Sequence, residues 1–131
     1  MDAESASAER LRRLQMAVEA SGLGLWEWDV RSGALTWNAR NRELFGVDPD
    51  RPLHIGEYIS LVHPKDRERV RAAYREVRDQ PEGGDYVIEH RTSFEPEGKA
   101  RWVQARGRVV RDADGIALVV GSTLDITDRK A

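Results

Sequence analysis

The segment Leu23-Gly24-Leu25-Trp26-Glu27-Trp28-Asp29-Val30 decides how this chain is read. Its period is two. Trp26, Trp28 and Val30 share one face and Leu25, Glu27 and Asp29 the other, the alternation of a strand with one buried side. Arg31-Ser32-Gly33 has turn composition and Ala34-Leu35-Thr36-Trp37-Asn38 brings the chain back, so residues 23–38 read as a β-hairpin.

Upstream of the hairpin the period becomes helical. Between Ser7 and Ala20, Leu11, Leu14 and Val18 recur at spacings of three and four among Glu9, Arg10, Arg12, Arg13 and Glu19. The stripe is as narrow as a two-turn coiled-coil seam, which makes these three the candidate dimerisation residues. Packing on its own domain, pairing with a second copy and fraying are the three fates open to such a helix. Ser21-Gly22 ends it, as glycine commonly does just past a helix.

Downstream, Ala39–Phe45 reads as a short helix stopped by Gly46, Val47–Pro52 as loop, and His54–Val62 as a second short helix with Ile55, Ile59 and Val62 on one side. His63-Pro64-Lys65-Asp66 starts a third: proline there needs no amide hydrogen, and Asp66 puts negative charge at the positive end of the dipole. That helix runs to about Gln80, burying Val70, Ala73, Tyr74 and Val77, with a solvated face of alternating Arg, Glu and Asp. Pro81-Glu82-Gly83-Gly84 breaks it. Strands then follow over Asp85–Phe94 and Ala100–Arg111, around the turn Pro96–Lys99, and over Ile116–Ile126 after the turn Asp112–Gly115. Adjacent strands with the helices segregated between them mean α+β: a five-stranded antiparallel sheet, helices on one face, preceded by the amphipathic helix.

The 131 residues suffice for one domain. Hydrophobic residues make up 40% and charged residues 34%, which fits a globular chain rather than a disordered one. Lys plus Arg, 21, nearly cancel Asp plus Glu, 23, so the basic excess of a nucleic-acid binder is missing. No apolar run approaches the ~20 residues of a membrane span, and the first ten residues lack an apolar secretory core, so a cytoplasmic location without membrane insertion is expected. The chain has no cysteine, which excludes disulfides, thiolate catalysis and Cys-ligated metal centres.

Enzyme signatures are missing too: there is no glycine-rich phosphate loop, HExxH or nucleophile elbow, so no catalytic residue and no metal ligand is assigned. His54 reads as exposed loop, His63 as a cap before the proline, and His90 as a mid-strand residue facing either solvent or an interior. Trp26, Trp28, Trp37 and Trp102 all fall in strands, where large aromatics build a core or a dimer contact, with a pocket wall as the alternative.

Taken in order, Gly24–Asp29 (GLWEWD), Ser32–Asn38 (SGALTWN), Glu43–Gly46 (ELFG), His63–Arg67 (HPKDR), Glu89–Arg91 (EHR), Arg101–Val103 (RWV), Gly121 and Asp125–Lys130 (DITDRK) make the chain resemble a PAS domain. The likeness is to the bacterial sensory-box subgroup with a Gly-x-Trp-x-Trp-Asp first strand, and it covers about residues 21–130. It implies a core over 23–126, a flanking helix over 1–22, and a start of a signalling helix or linker over 127–131. It also implies a small-molecule pocket inside the sheet, with Leu25, Trp37, Phe45, Ile59, Val70, Tyr74 and Ile88 as candidate walls; the same residues would equally serve to fill the space.

Resemblance further implies a homodimeric sensor that passes a signal through Asp125, Ile126 and Thr127 to an output domain of histidine kinase or cyclic-di-nucleotide type outside this chain. Thr127 or Asp128 is placed to cap a helix that the chain barely begins, as in an excised input domain or a frayed tail. A filled-core module that only pairs subunits is the other reading, and a small enzyme a remote third. Lack of cysteine excludes the flavin that forms a covalent adduct. Haem lacks its expected histidine on the long helix, and a non-covalent flavin has no positive marker.

Overall fold

The computed structural model describes residues 2–79, 85–111, 113–115 and 117–130. Gln80, the break at Pro81–Gly84, and the expected turn and strand positions Asp112 and Ile116 lie outside them, as does Ala131.

Helix α1 covers Ala3–Ser21, starting where the Asp2 carboxylate accepts from Ser5 N at 2.8 Å and ending at Gly22, whose φ of 73° is the left-handed cap that glycine supplies without strain. None of its residues is buried, so packing on its own domain is not its fate here. Strands β1 (Gly24–Asp29) and β2 (Ala34–Trp37) form the expected hairpin, pairing Trp26 with Trp37 and Trp28 with Leu35. Helix α2 is Ala39–Phe45, capped by Asn38, whose Oδ1 accepts from Asn41 N at 2.9 Å.

Among the described residues the sheet has six strands, one more than expected, in the order β3-β2-β1-β6-β5-β4. The addition is β3, Leu53–His54, which pairs with Ala34 and Leu35. Two residues are too few to show an alternation in sequence. His54 is therefore strand and cap rather than helix: its Nδ1 accepts from Gly56 N at 3.2 Å as α3 (Ile55–Leu61) begins. Every neighbouring pair is antiparallel.

His63 Nδ1 accepts from Lys65 N at 3.1 Å, opening a 3-10 turn over Pro64–Asp66 before α4, Arg67–Asp79. Asp66 fastens this junction to β4 (Asp85–Arg91). One carboxylate oxygen accepts from Arg91 N at 2.7 Å and Nε at 3.0 Å, the other from Nη2 at 2.8 Å. The fork of the Arg91 guanidinium holds the Asp66 carboxyl down at about 2. Strand β4 stops at Arg91 rather than Phe94, because the Thr92 hydroxyl turns the chain by bonding the Phe94 carbonyl at 2.7 Å.

Strands β5 (Trp102–Arg111) and β6 (Ala117–Asp125) complete the sheet, with β6 central between β1 and β5, and α5 (Thr127–Lys130) follows. Helices α2, α3 and α4 cover the face presented by Trp28, Trp37, Ile88, Val103, Ala105 and Val119.

Candidate ligand cavity and exit segment

One register row crosses five strands: Trp37, Trp26, Gly121, Gly107 and Tyr86. The two glycines leave the middle of the row bare, and the Trp26 indole lies across them. A Cβ on Gly107 would meet Trp26 Cη2 at 2.5 Å, and one on Gly121 would meet Trp26 and the Arg106 carbonyl. The indole ends edge-on to Tyr86, centroids 6.4 Å apart at 89°.

From the helical side, Tyr74 of α4 lies against Trp28 at 4.7 Å, while Phe45 of α2 and Tyr58 of α3 meet Trp37 at 5.0 and 6.1 Å. A cavity of about 50 Å³ remains between these layers. Small-molecule sites typically span ~300–1,000 Å³, so a three-ring flavin or a haem does not fit the space as it stands.

Of the seven wall positions expected from the sequence, Trp37, Phe45 and Tyr74 line this cavity. Ile59, Val70 and Ile88 are buried in the apolar cluster beside it and do not reach its wall. Leu25 needs correction: it sits on the opposite face of the sheet, 37% exposed, bordering a shallow groove with Val87 and Arg106. Alternation in β1 already put Trp26 and Trp28 on one side and Leu25 on the other, and both tryptophans line the cavity. Tyr86 was signalled by the same rule, two residues before inward Ile88. Tyr58 was signalled by helical spacing, three residues after Ile55 on the stripe with Ile59 and Val62. Asn41 carried no such signal, since a polar residue on a seven-residue helix reads as surface.

His90 is fully buried. The Tyr58 hydroxyl donates to its Nε2 at 2.7 Å, and its Nδ1–H donates to the Arg91 carbonyl at 3.0 Å, a tautomer set by the carbonyl partner. Burial pushes the imidazole down to about 4, so it is neutral at pH 7. Burial also raises the Tyr58 phenol, which keeps its proton.

At the other end of the core, the three residues expected to transmit a signal lie together. Asp125 Oδ1 accepts from Thr127 N at 2.9 Å and Thr127 Oγ1 at 2.6 Å, and Thr127 Oγ1 accepts from Trp102 N at 3.1 Å. Ile126 between them is buried, its N–H donating to the Trp102 carbonyl at 2.9 Å. Arg101 was not expected. Its Nε lies 3.4 Å from Asp125 Oδ2, while Nη1 donates to the Leu44 carbonyl at 2.8 Å and the Glu43 carbonyl at 3.3 Å, at the end of α2. Helix α2 also supplies Asn41 and Phe45 to the cavity. One guanidinium thus joins a wall of the cavity to the segment between β6 and α5.

The PAS fold family matches residues 34–123. The chain belongs to that family. It is 31% identical over 122 residues to the sensor protein FixL of Bradyrhizobium diazoefficiens, a match covering 92% of this chain and 24% of FixL. It is 31% identical over 119 residues to a blue-light-activated histidine kinase of Brucella ovis, covering 90% of this chain and 23% of that protein. This PAS chain therefore spans about a quarter of the length of these relatives. Among solved structures, a sensory box histidine kinase/response regulator from Burkholderia thailandensis is 32% identical with a TM-score of 0.66, covering 90% of this chain and 87% of that one. Among the described residues, no helix is long and apolar enough to cross a membrane.

Proposed function

We propose that this chain is the non-catalytic sensory input domain of a longer, cytoplasmic bacterial signalling protein whose output is a histidine kinase or a cyclic-di-nucleotide enzyme. Relatives named as sensor protein and histidine kinase support the class. The observation that carries the mechanism is the Arg101 guanidinium, bridging the α2 carbonyls at Glu43 and Leu44 to Asp125. Occupancy of the cavity biases the position of α2; Arg101 carries that bias to Asp125 and Thr127, and the helix beginning at Thr127 passes it on as a population shift. Replacing Asp125 and Thr127 together by alanine in the full-length protein, with Arg101→Gln as a second variant, tests this. Output then loses its dependence on the stimulus. Unchanged control in both variants removes the route.

A second reading is favoured by the 50 Å³ cavity and by the uncovered α1: a filled-core module whose task is to pair two subunits through Leu11, Leu14 and Val18. Native mass spectrometry of the purified protein separates the two, because the first predicts a retained small molecule in the cavity and the second a bare homodimer.

A further inference from the structure

Among the described residues, three buried side-chain polar atoms have no hydrogen-bond partner: Trp26 Nε1, Trp28 Nε1 and Asn41 Oδ1. All three residues line the same cavity, Trp28 at 5% exposure and Asn41 at 1%. A buried donor without an acceptor is costly and rare in folded proteins, so two indole N–H groups in this state mark a place where an acceptor belongs. The neighbouring polar groups do not supply it. The Tyr58 hydroxyl proton and both His90 nitrogens are engaged with each other and with the Arg91 carbonyl.

Charge and size narrow the class. None of the described lining residues is an Asp, Glu, His, Lys or Arg. A buried anion would meet no cationic side chain, and a cation would face two N–H donors without a carboxylate, so each would carry its full desolvation cost. The occupant is therefore neutral. A cavity of about 150 Å³ holds benzene; one of about 50 Å³ takes only a few heavy atoms.

We propose that the cavity binds a small neutral molecule carrying a carbonyl or hydroxyl oxygen, which accepts from the Trp26 and Trp28 indole N–H groups. Where the molecule also has an N–H or O–H, as an amide does, Asn41 Oδ1 accepts from it. This rests on the ligand-sensing reading and names the chemistry of its site. The apolar rings of Trp37, Phe45 and Tyr74 supply the rest of the enclosure.

The test titrates the 131-residue protein with acetone, acetamide and 2-methylpropene while following the tryptophan indole ¹H–¹⁵N signals. Acetone and 2-methylpropene share a shape and differ in the oxygen. Trp102, on the outer face beneath Lys130 and Arg91, is the internal control. Saturable shifts of Trp26 and Trp28 with acetone and acetamide, a still Trp102, and at least tenfold weaker binding of 2-methylpropene are expected. Trp28→Phe keeps the ring against Tyr74, removes one donor, and weakens acetone about tenfold; Trp26→Phe serves if that variant does not fold. Equal binding of acetone and 2-methylpropene overturns the oxygen requirement while leaving a ligand pocket standing. If none of the three probes binds and water alone meets the indoles, the proposal fails; the ligand-sensing reading fails with it only where native mass spectrometry also finds the bare homodimer.

Discussion

Trp26 and Tyr86 meet edge to face, 6.4 Å between centroids, although two strands lie between β1 and β4: β6 and β5, bare at that row because they carry Gly121 and Gly107 there. The span of one indole replaces two missing side chains.

Substituting those glycines therefore destabilises the fold for different reasons. A Cβ at Gly107 meets only side-chain atoms, Trp26 Cη2 at 2.5 Å and Val119 Cγ1 at 2.9 Å, whereas one at Gly121 also meets the Arg106 carbonyl. Each alanine variant is expected to lose about 1–3 kcal/mol in urea unfolding. Adding Trp26→Leu relieves most of the cost of Gly107→Ala, leaving only the Val119 methyl to shift, and leaves Gly121→Ala unrelieved, because the backbone of β5 has nowhere to move. Equal relief of both would show that the indole alone sets the limit.

Asp66 gives the molecule an acid limit. Its carboxyl lies at about 2 through the hydrogen bonds and charge of Arg91, against 3.8 in the unfolded chain. A depressed carboxyl stabilises the fold fully above the unfolded value, and that contribution disappears as pH falls from about 4 to about 2. At roughly 1.4 kcal/mol per pH unit it amounts to about 2 kcal/mol. Asp66→Asn should lose this amount at pH 7 and show a flatter stability profile below pH 4. An unaltered acid profile would place the acid-sensitive contact elsewhere.

His90 acts at milder acidity. Burial holds the imidazole at about 4 against 6.5 when unfolded, so the unfolded chain binds the proton first. Stability is full above pH 6.5 and falls as pH drops toward 4, by about 3 kcal/mol in all. His90→Gln should abolish this slope while the steeper loss through Asp66 below pH 4 remains. Urea unfolding at half-unit steps of pH reads both. A slope that survives the substitution would assign the titration to another group.

Much of this was legible because alternation and turn chemistry are local. The hairpin of β1 and β2, the bounds of α2 at Asn38 and Gly46, and the inward direction of Trp28 and Trp37 follow from residues within a few positions of one another. Strand β3 was not legible, since Leu53 and His54 become strand only by pairing with Ala34 and Leu35. The cavity was half legible. Trp37, Phe45 and Tyr74 announce themselves as large apolar residues, but Ile59, Val70 and Ile88 pack beside the space rather than around it, a difference set by the packing of helix on sheet. Arg101 was visible only as part of the RWV element; its bridging contacts were not legible, because its partners, Glu43, Leu44 and Asp125, are brought to it by the tertiary fold.

Helix α1 supplies the last prediction. It has 19 residues, buries none of them, and exposes Leu11 at 58% and Leu14 at 59% on one stripe, with Val18 a turn further on. Most of a helix's stability in a protein comes from packing its apolar face, and this stripe is uncovered. Covered by a second copy, it makes the homodimer seam. Leu11→Glu with Leu14→Glu should then halve the mass in light scattering. The unfolding midpoint of the dilute protein's sheet should stay nearly fixed, because α1 contributes nothing to the core and surface changes of this kind cost about 0.5 kcal/mol or less. A variant that remains dimeric would move the contact to the outer sheet face, where Leu25, Val87 and Val110 are the exposed apolar residues.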